Sequence, residues 1–315
     1  MKTKRILLAG GSGFVGSVLR DYYCGSGVEI VLLSRAPGTS MPSCRTVQWD
    51  ARRRGPWVRE LEGAQAVINL TGQSVNCRYN PANRERILES RTASTRVIGE
   101  AISECRRPPT VWMNASTATI YRHTFGPAWD ESGACGFTPE ANDQFSVEVA
   151  TAWEAAVDAC TTPDTRKVKM RMAMVLGWGA NSVFPMLRRL VRFGLGGKMG
   201  DGRQFVSWIH HADLCRSIDF VLNQPDLHGV VNIASPNPLT NANMMAEIRK
   251  AVGMPVGFSH PNWMLELGAW ALGTETELIL KSRNVVPGKL LEAGFGFRFS
   301  HLSEAIADLL QRERA

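Results

Sequence analysis

Gly10-Gly11-Ser12-Gly13-Phe14-Val15-Gly16 satisfies two glycine registers at once, G-x-G-x-x-G from Gly11 and G-x-x-G-x-x-G from Gly10. Glycine at these spacings lets backbone approach a pyrophosphate that a Cβ would hold off. A helix opening at the same turn offers the phosphates free N–H groups and the positive end of its dipole. Glycines also serve tight turns, so the context decides. Here an apolar strand, Arg5–Ala9, leads into the turn and a helical pattern, Ser17–Tyr23, leads out. A second strand, Glu29–Ser34, ends at Ser34-Arg35, about 20 residues past the last glycine, where an NAD site places an acid and an NADP site a cation. A hydroxyl beside a guanidinium suits a phosphate monoester, which arginine holds bidentately. The nearest acid, Glu29, stands at the far end of the strand. The spacing predicts NADP(H) as the cofactor.

Other reactive side chains point to less. Seven cysteines are spread along the chain with no Cys-x-x-Cys, so neither a disulfide framework nor a zinc site is expected, and reduced thiols in the cytoplasm are. His210 and His211 are neighbours on a strand-like segment and face opposite ways, which makes them poor joint metal ligands. No metal is expected, and Asp213 reads as a helix cap. Lys and Arg outnumber Asp and Glu, 36 to 29, for a net charge of +7. That excess suits an anionic cofactor or substrate, and Arg203 is placed to meet an anion. The basic clusters Arg52-Arg53-Arg54 and Arg188-Arg189 lack the interleaved aromatics that stack bases, so a nucleic-acid partner is not expected. No apolar run approaches the ~18–20 residues a membrane span requires, and a membrane partner is not expected either.

The elements that must position these groups alternate along the first half of the chain. After the first two strands come Thr46–Trp49, Ala66–Leu70, Val111–Ala115 and Val168–Leu176 as strands, with helices over Pro81–Cys105 and Phe145–Ala159. Alternation of this kind predicts a mostly parallel sheet covered by helices. Beyond Gly177 the pattern loosens into helices at Ser182–Phe193 and Thr240–Val252, two or three more after Pro261, and strands at Gln204–Ile209 and Val230–Ala234. The expectation is a dinucleotide-binding domain over residues 1–178, to which 206–235 returns, and a smaller, mainly helical substrate-capping region over 179–315. Trp208, Trp263 and Trp270 are expected in the core or between the two parts.

Several stretches together resemble one family. GGSGFVG at 10–16, INLTG at 68–72, ESRTASTRVI at 89–98, WEAAV at 153–157 and VLGWGA at 175–180 are similar to the extended short-chain dehydrogenase/reductases. GRQFVSWIHHADL at 202–214, TNANMMAEI at 240–248 and RNVVPGKLLEAGFGFRF at 283–299 narrow the likeness to the atypical "epimerase family" branch. The resemblance implies an α/β, Rossmann-type doubly wound parallel sheet with a short C-terminal domain. It implies cofactor contacts from Gly10 to Gly16, Ser34, Arg35, Leu70 and Thr71, with Arg91 reaching in from the side and Asp50 near the adenine.

Typical members of that superfamily carry Tyr-x-x-x-Lys, the phenol exchanging a proton while the lysine lowers its pKa. The four tyrosines here are followed at the fourth position by Ser26, Gly27, Asn83 and Phe125, so the motif is absent. Counting back from Trp153-Glu154 puts Ser146 at the tyrosine's place, among the cofactor neighbours, and Ala150 at the lysine's. A serine hydroxyl there is too weakly acidic without an adjacent base. Ser116 or Thr117 remains to orient a substrate. Tyr121, just past the fifth strand, is the candidate proton donor, and His123, read as an exposed loop histidine, follows it. The expected function is an NADP(H)-dependent oxidoreductase or epimerase acting on a small molecule. A catalytically silent NADP(H) sensor is the alternative that the missing pair supports, and a nucleic-acid-associated protein rests on charge alone.

Overall fold

The computed structural model describes residues 4–36 and 43–313. The first half builds β1 (Lys4–Ala9), α1 (Phe14–Tyr23), β2 (Val28–Ser34), β3 (Cys44–Gln48) and β4 (Ala66–Asn69). It continues with α2 (Pro81–Ser103), β5 (Val111–Thr117), α3 (Gln144–Asp158), β6 (Arg166–Met172) and β7 (Met174–Leu176). The rest comprises α4 (Val183–Arg192), β8 (Phe205–Val206), β9 (Trp208–His210), α5 (His211–Asn223), β10 (Gly229–Ile233) and β11 (Leu239–Thr240). Five helices close the chain: α6 (Asn241–Val252), α7 (Asn262–Leu272), α8 (Glu277–Leu280), α9 (Gly288–Glu292) and α10 (Leu302–Arg312).

Seven strands form one parallel sheet in the order β10-β6-β5-β4-β1-β2-β3. The central strands β1, β2 and β4 read as largely apolar runs because helices cover both faces. Leu19 of α1 and Leu214 and Ile218 of α5 pack on one face with Ile6, Leu8 and Ile68. Val97, Ile98 and Ile102 of α2 pack on the other with Leu7, Val67 and Trp112. Chain order reverses between β1 and β4, and the carboxyl ends of strands at such a switch point open onto a ligand crevice. A separate core joins α4, α6 and α10 around Trp208. No described helix is long and apolar enough to cross a membrane.

Two strand expectations in the second half, and one about its tryptophans, are corrected. The strand predicted over Val168–Leu176 breaks at Ala173, and β7 leaves the main sheet to pair with β9. The strand predicted over Gln204–Ile209 breaks at Ser207, whose hydroxyl is occupied by the backbone of Arg283 and Val285. Of the segment expected to return, β10 joins the main sheet at its edge beside β6 and α5 packs on its face. Trp208 is buried as expected, but Trp263 and Trp270 are 60% and 72% exposed. They lie with Leu267 on one stripe of α7, and that helix instead turns Leu265 and Ala269 inward.

Candidate functional site

The four glycines of the turn do different work. A Cβ on Gly10, whose φ is +76°, would stand 2.8 Å from the backbone of Leu70 and Thr71. One on Gly16 would stand 2.4 Å from the Gly11 Cα, and one on Gly11 2.6 Å from Leu32. These three let β1, α1 and the end of β4 close on one another. Gly13 differs, since a Cβ there would meet nothing nearer than the Gly10 carbonyl oxygen at 3.7 Å. Gly13 is also the N-cap of α1 and supplies no side-chain acceptor, so the helix opens with free N–H groups onto an uncluttered space. In front of it lies an open groove of about 380 Å³, walled by Gly10, Gly13, Val15, Leu70, Val175 and Ser182. Ser12 is exposed beside it, and the Phe14 ring lies against Gly177 and Gly179 on the far side.

At the end of β2 the Ser34 hydroxyl accepts from the Ala36 N–H at 3.2 Å. Arg35 is exposed and pairs with no carboxylate among the described residues. Glu29, by contrast, is engaged by Arg5 and Arg45, each at 2.9 Å, at the strand's other end. Asp50 closes its own turn, accepting from the Arg52 and Arg53 N–H groups, which holds its carboxyl below the usual range. This donor set fits a dinucleotide carrying an additional phosphate: a bare helix N-terminus for the pyrophosphate, and a hydroxyl with an unspent guanidinium for the monoester.

Leu70 lines the groove and Thr71 follows it, fixed from behind by a buried polar network that sequence reasoning missed. Asn69 accepts from the Thr71 N–H at 3.1 Å and donates to Asn114 at 2.8 Å, while Trp153 donates to Thr95 at 3.1 Å within the same group. The Thr71 hydroxyl is buried with no partner among the described residues. Arg91 of α2 lies against Gly72, donates to the carbonyls of Gln73 and Ile87, and stacks on Trp153 with its guanidinium carbon 5.0 Å from the ring centre. It has no carboxylate partner among the described residues, and desolvation pushes it down to about 10, with Tyr79 opposing. A cation so placed has capacity left for an anion.

A second group of polar side chains gathers at the start of α3. Ser146, in the first turn of α3, donates its hydroxyl to Glu277 Oε2 at 2.6 Å. Glu277 opens α8, so the C-terminal region inserts an acid beside the place where the tyrosine of the usual pair would stand. Arg283 lies 3.5 Å from Glu277 Oε1 and donates to Thr119 at 3.0 Å, and Thr119 in turn contacts the Thr117 hydroxyl at 3.1 Å. Lys281 and Asp143 make a fully buried ion pair that anchors this segment to the start of α3. Tyr79 borders this group, its ring edge-on to Phe145 at 4.8 Å and its hydroxyl buried beside Ser146. Burial chiefly, and then the Glu277 charge, push that hydroxyl up to about 12.

Thus Thr117, Ser146 and Arg91 come together, but Tyr121 does not join them. Tyr121 is 1% exposed, its hydroxyl turned inward to Asn232 at 2.8 Å and its ring covered by Arg171 at 4.7 Å. The reason is the buried Arg171–Glu154 pair, bidentate at 2.8 Å, which needs the ring's face as its remaining cover. Ser116 is used by the same pair, donating to Glu154 at 2.6 Å. His123 is half-buried rather than exposed and accepts from the Ser282 N–H at 3.0 Å. Arg203 remains exposed and stacks on Phe125. Glu277, Arg283 and Tyr79 were invisible from spacing: Tyr79 was weighed only as the start of Tyr-x-x-x-Lys, and the other two lie far along the chain from α3.

The switch point, the glycine turn and the βαβ order define an α/β protein of the Rossmann type with short-chain dehydrogenase/reductase architecture. The chain belongs to the NAD dependent epimerase/dehydratase family, whose model matches residues 6–234, and a domain of unknown function, DUF1731, matches residues 260–309. It is 30% identical over 310 residues to the epimerase family protein SDR39U1 of Mus musculus, covering 97% of this chain and 99% of that one. Against the epimerase family protein YfhF of Bacillus subtilis (strain 168) it is 28% identical, with 97% of each chain covered. The crystal structure of human SDR39U1 (isoform 2) with NADPH superposes with a TM-score of 0.84 at 28% identity, over 98% of this chain and 99% of that one.

Proposed function

We propose that this chain is an NADP(H)-binding oxidoreductase- or epimerase-like enzyme acting on a small molecule in the cleft between α2, α3 and the C-terminal segment. The observation that carries the cofactor is the open space before Gly13 at an α1 N-terminus without a side-chain cap, combined with the unpaired Arg35 at the end of β2. The NADPH in the crystal structure of human SDR39U1 supports the same cofactor here. Gly10, Gly11, Ser12, Gly13, Phe14, Val15 and Gly16 line the pyrophosphate. Ser34 and Arg35 take the additional phosphate, Leu70 and Thr71 underlie the adjoining ribose, and Arg91 and Ser146 lie toward the nicotinamide. When bound, the cofactor supplies or accepts a hydride.

The chain's own residues do the rest. Arg91 and Arg283 give the cleft a cationic lining suited to an anionic substrate group, and Thr117 and Thr119 order its near wall. Residues 1–178 together with 206–235 act as the cofactor domain, and the rest of 179–315 acts as the substrate cap. All seven cysteines are free thiols, which supports a cytoplasmic setting. The silent-sensor reading keeps one observation of its own, the Ser146 and Ala150 that stand where tyrosine and lysine are usual.

Titration of NADPH and NADH by tryptophan fluorescence tests the cofactor assignment. NADPH is expected to bind at least tenfold tighter, about 1.4 kcal/mol, and Arg35→Ala to abolish that preference while leaving NADH unchanged. Equal affinities in the wild type, or a preference that survives Arg35→Ala, would overturn it.

A further inference from the structure

A serine where the family's tyrosine is usual looks like lost chemistry until its partner is considered. Ser146 is part-exposed to the cleft, and its hydroxyl is held at 2.6 Å by a carboxylate from a segment 131 residues away in sequence. That carboxylate is 4% exposed and has only a loose ion pair, at 3.5 Å, with Arg283. The Tyr79 hydroxyl is buried beside the same serine, and the Thr71 hydroxyl is buried next to the glycine turn with no hydrogen-bond partner among the described residues. Holding an acid out of water costs free energy, so a buried carboxylate kept behind a part-exposed hydroxyl marks a place built to meet a polar ligand.

We propose that Ser146 is the catalytic residue that exchanges a proton with the substrate, and that Glu277 is the positioning residue that supplies and removes that proton through it. This rests on the NADP(H)-dependent reading above. In the reducing direction a substrate carbonyl oxygen takes the Ser146 proton as a hydride from the reduced dinucleotide adds to the carbonyl carbon. The C=O π bond is replaced by one C–H and one O–H bond, the substrate gains two electrons, and the dinucleotide is oxidised. Ser146, now accepting where it had donated, recovers its proton from the Glu277 carboxylic acid, and water that replaces the departed product returns a proton to Glu277 through Ser146. In the oxidising direction each transfer runs backwards, with the Glu277 carboxylate as base. A buried acid behind a hydroxyl is the adjacent group a serine needs to act at all.

The electrostatics agree. Burial raises Glu277 above the ordinary carboxylate range, Asp143 adds to the rise, and Arg283, the Ser146 hydroxyl and Lys281 oppose it. Tyr79 faces the same carboxylate from the loop before α2, as the rise in its own hydroxyl shows. Glu277 is thereby kept able to hold a proton nearer neutrality than a surface glutamate can.

The test uses the full chain with NADPH. Infrared difference titration should find one carboxylic C=O band that persists to higher pH than the bulk, is lost in Glu277→Gln and is displaced in Ser146→Ala. NADPH affinity should stay within about twofold of wild type in Glu277→Gln. Oxidation of NADPH by a panel of small aldehydes, ketones and quinones should fall about 10²-fold or more in each. Ser146→Ala keeps the Glu277–Arg283 contact, so it answers the question even if Glu277→Gln folds poorly. Failure of the wild type to bind NADPH would sink the cofactor reading itself. Tight NADPH binding with no turnover on the panel, no Glu277 band, or full turnover in either variant would overturn the relay alone.

Discussion

Replacing Gly13 by valine separates the two roles that glycines play in the turn. Gly13 has φ −79° and ψ 172°, an extended conformation that a β-branched residue adopts without strain. Its new Cβ would meet nothing within 3.4 Å, the Gly10 oxygen at 3.7 Å being the nearest atom. Loss of unfolded-state freedom favours the variant by roughly 0.4–1 kcal/mol, so its melting temperature should hold or rise slightly. The two γ-methyls would project into the space before the α1 N-terminus, where a pyrophosphate has to accept N–H groups. Losing two charge-assisted hydrogen bonds costs about 3 kcal/mol or more, hence a loss of NADPH affinity beyond about 100-fold. Gly16→Val is the contrast, because its Cβ would lie 2.4 Å from the Gly11 Cα, backbone against backbone, and the fold itself should suffer. Thermal melts paired with NADPH titration decide the matter. A Gly13→Val protein that melts normally and binds NADPH like wild type would refute the placement of the cofactor on this turn.

Why that turn was legible in sequence, and the cleft was not, follows from the range of the forces involved. The glycine spacing, the strand before it and Arg35 after β2 are local consequences of one βαβ unit. The apolar runs at Ile6–Ala9, Ala66–Asn69 and Val111–Ala115 declare strands buried on both faces. By contrast, the strand expected over Gln204–Ile209 divides into β8 and β9 where the Ser207 hydroxyl is claimed by the backbone of Arg283 and Val285, a contact between segments far apart in sequence. Tyr121 looked available from its position past β5, and only the Arg171–Glu154 pair above it and Asn232 below show why it is core. The acid that Ser146 needs was never near it in sequence. It arrives on α8, pinned by the Lys281–Asp143 pair, and no period or motif encodes that meeting.

Two further outcomes follow from the buried polar groups. Tyr121→Phe should leave NADPH affinity and turnover unchanged while costing about 1–3 kcal/mol of stability, since it strands the Asn232 oxygen in the core; a large turnover loss in denaturant-stable protein would return Tyr121 to the chemistry. The other concerns acid stability and rests on His210. Its Nδ1 accepts from the Ala212 N–H at 3.1 Å and caps α5, so the neutral ring carries its proton on Nε2, 3.3 Å from Asp308. Burial chiefly, then the adjacent His211, push the imidazole down to about 3 despite that carboxylate. Unfolded, it titrates near 6.5, so below that pH the unfolded chain binds a proton that the folded chain refuses. Stability should therefore decline as pH falls from about 6.5 toward 3, and be insensitive to this group above pH 7. His210→Asn retains a capping oxygen but cannot titrate, so denaturant midpoints measured from pH 4 to 8 should fall less steeply on the acid side than in wild type. His211 and His123 are shifted the same way and keep part of the slope. A variant whose acid limb matched the wild type in steepness would mean that His210 is protonated in the fold and paired with Asp308.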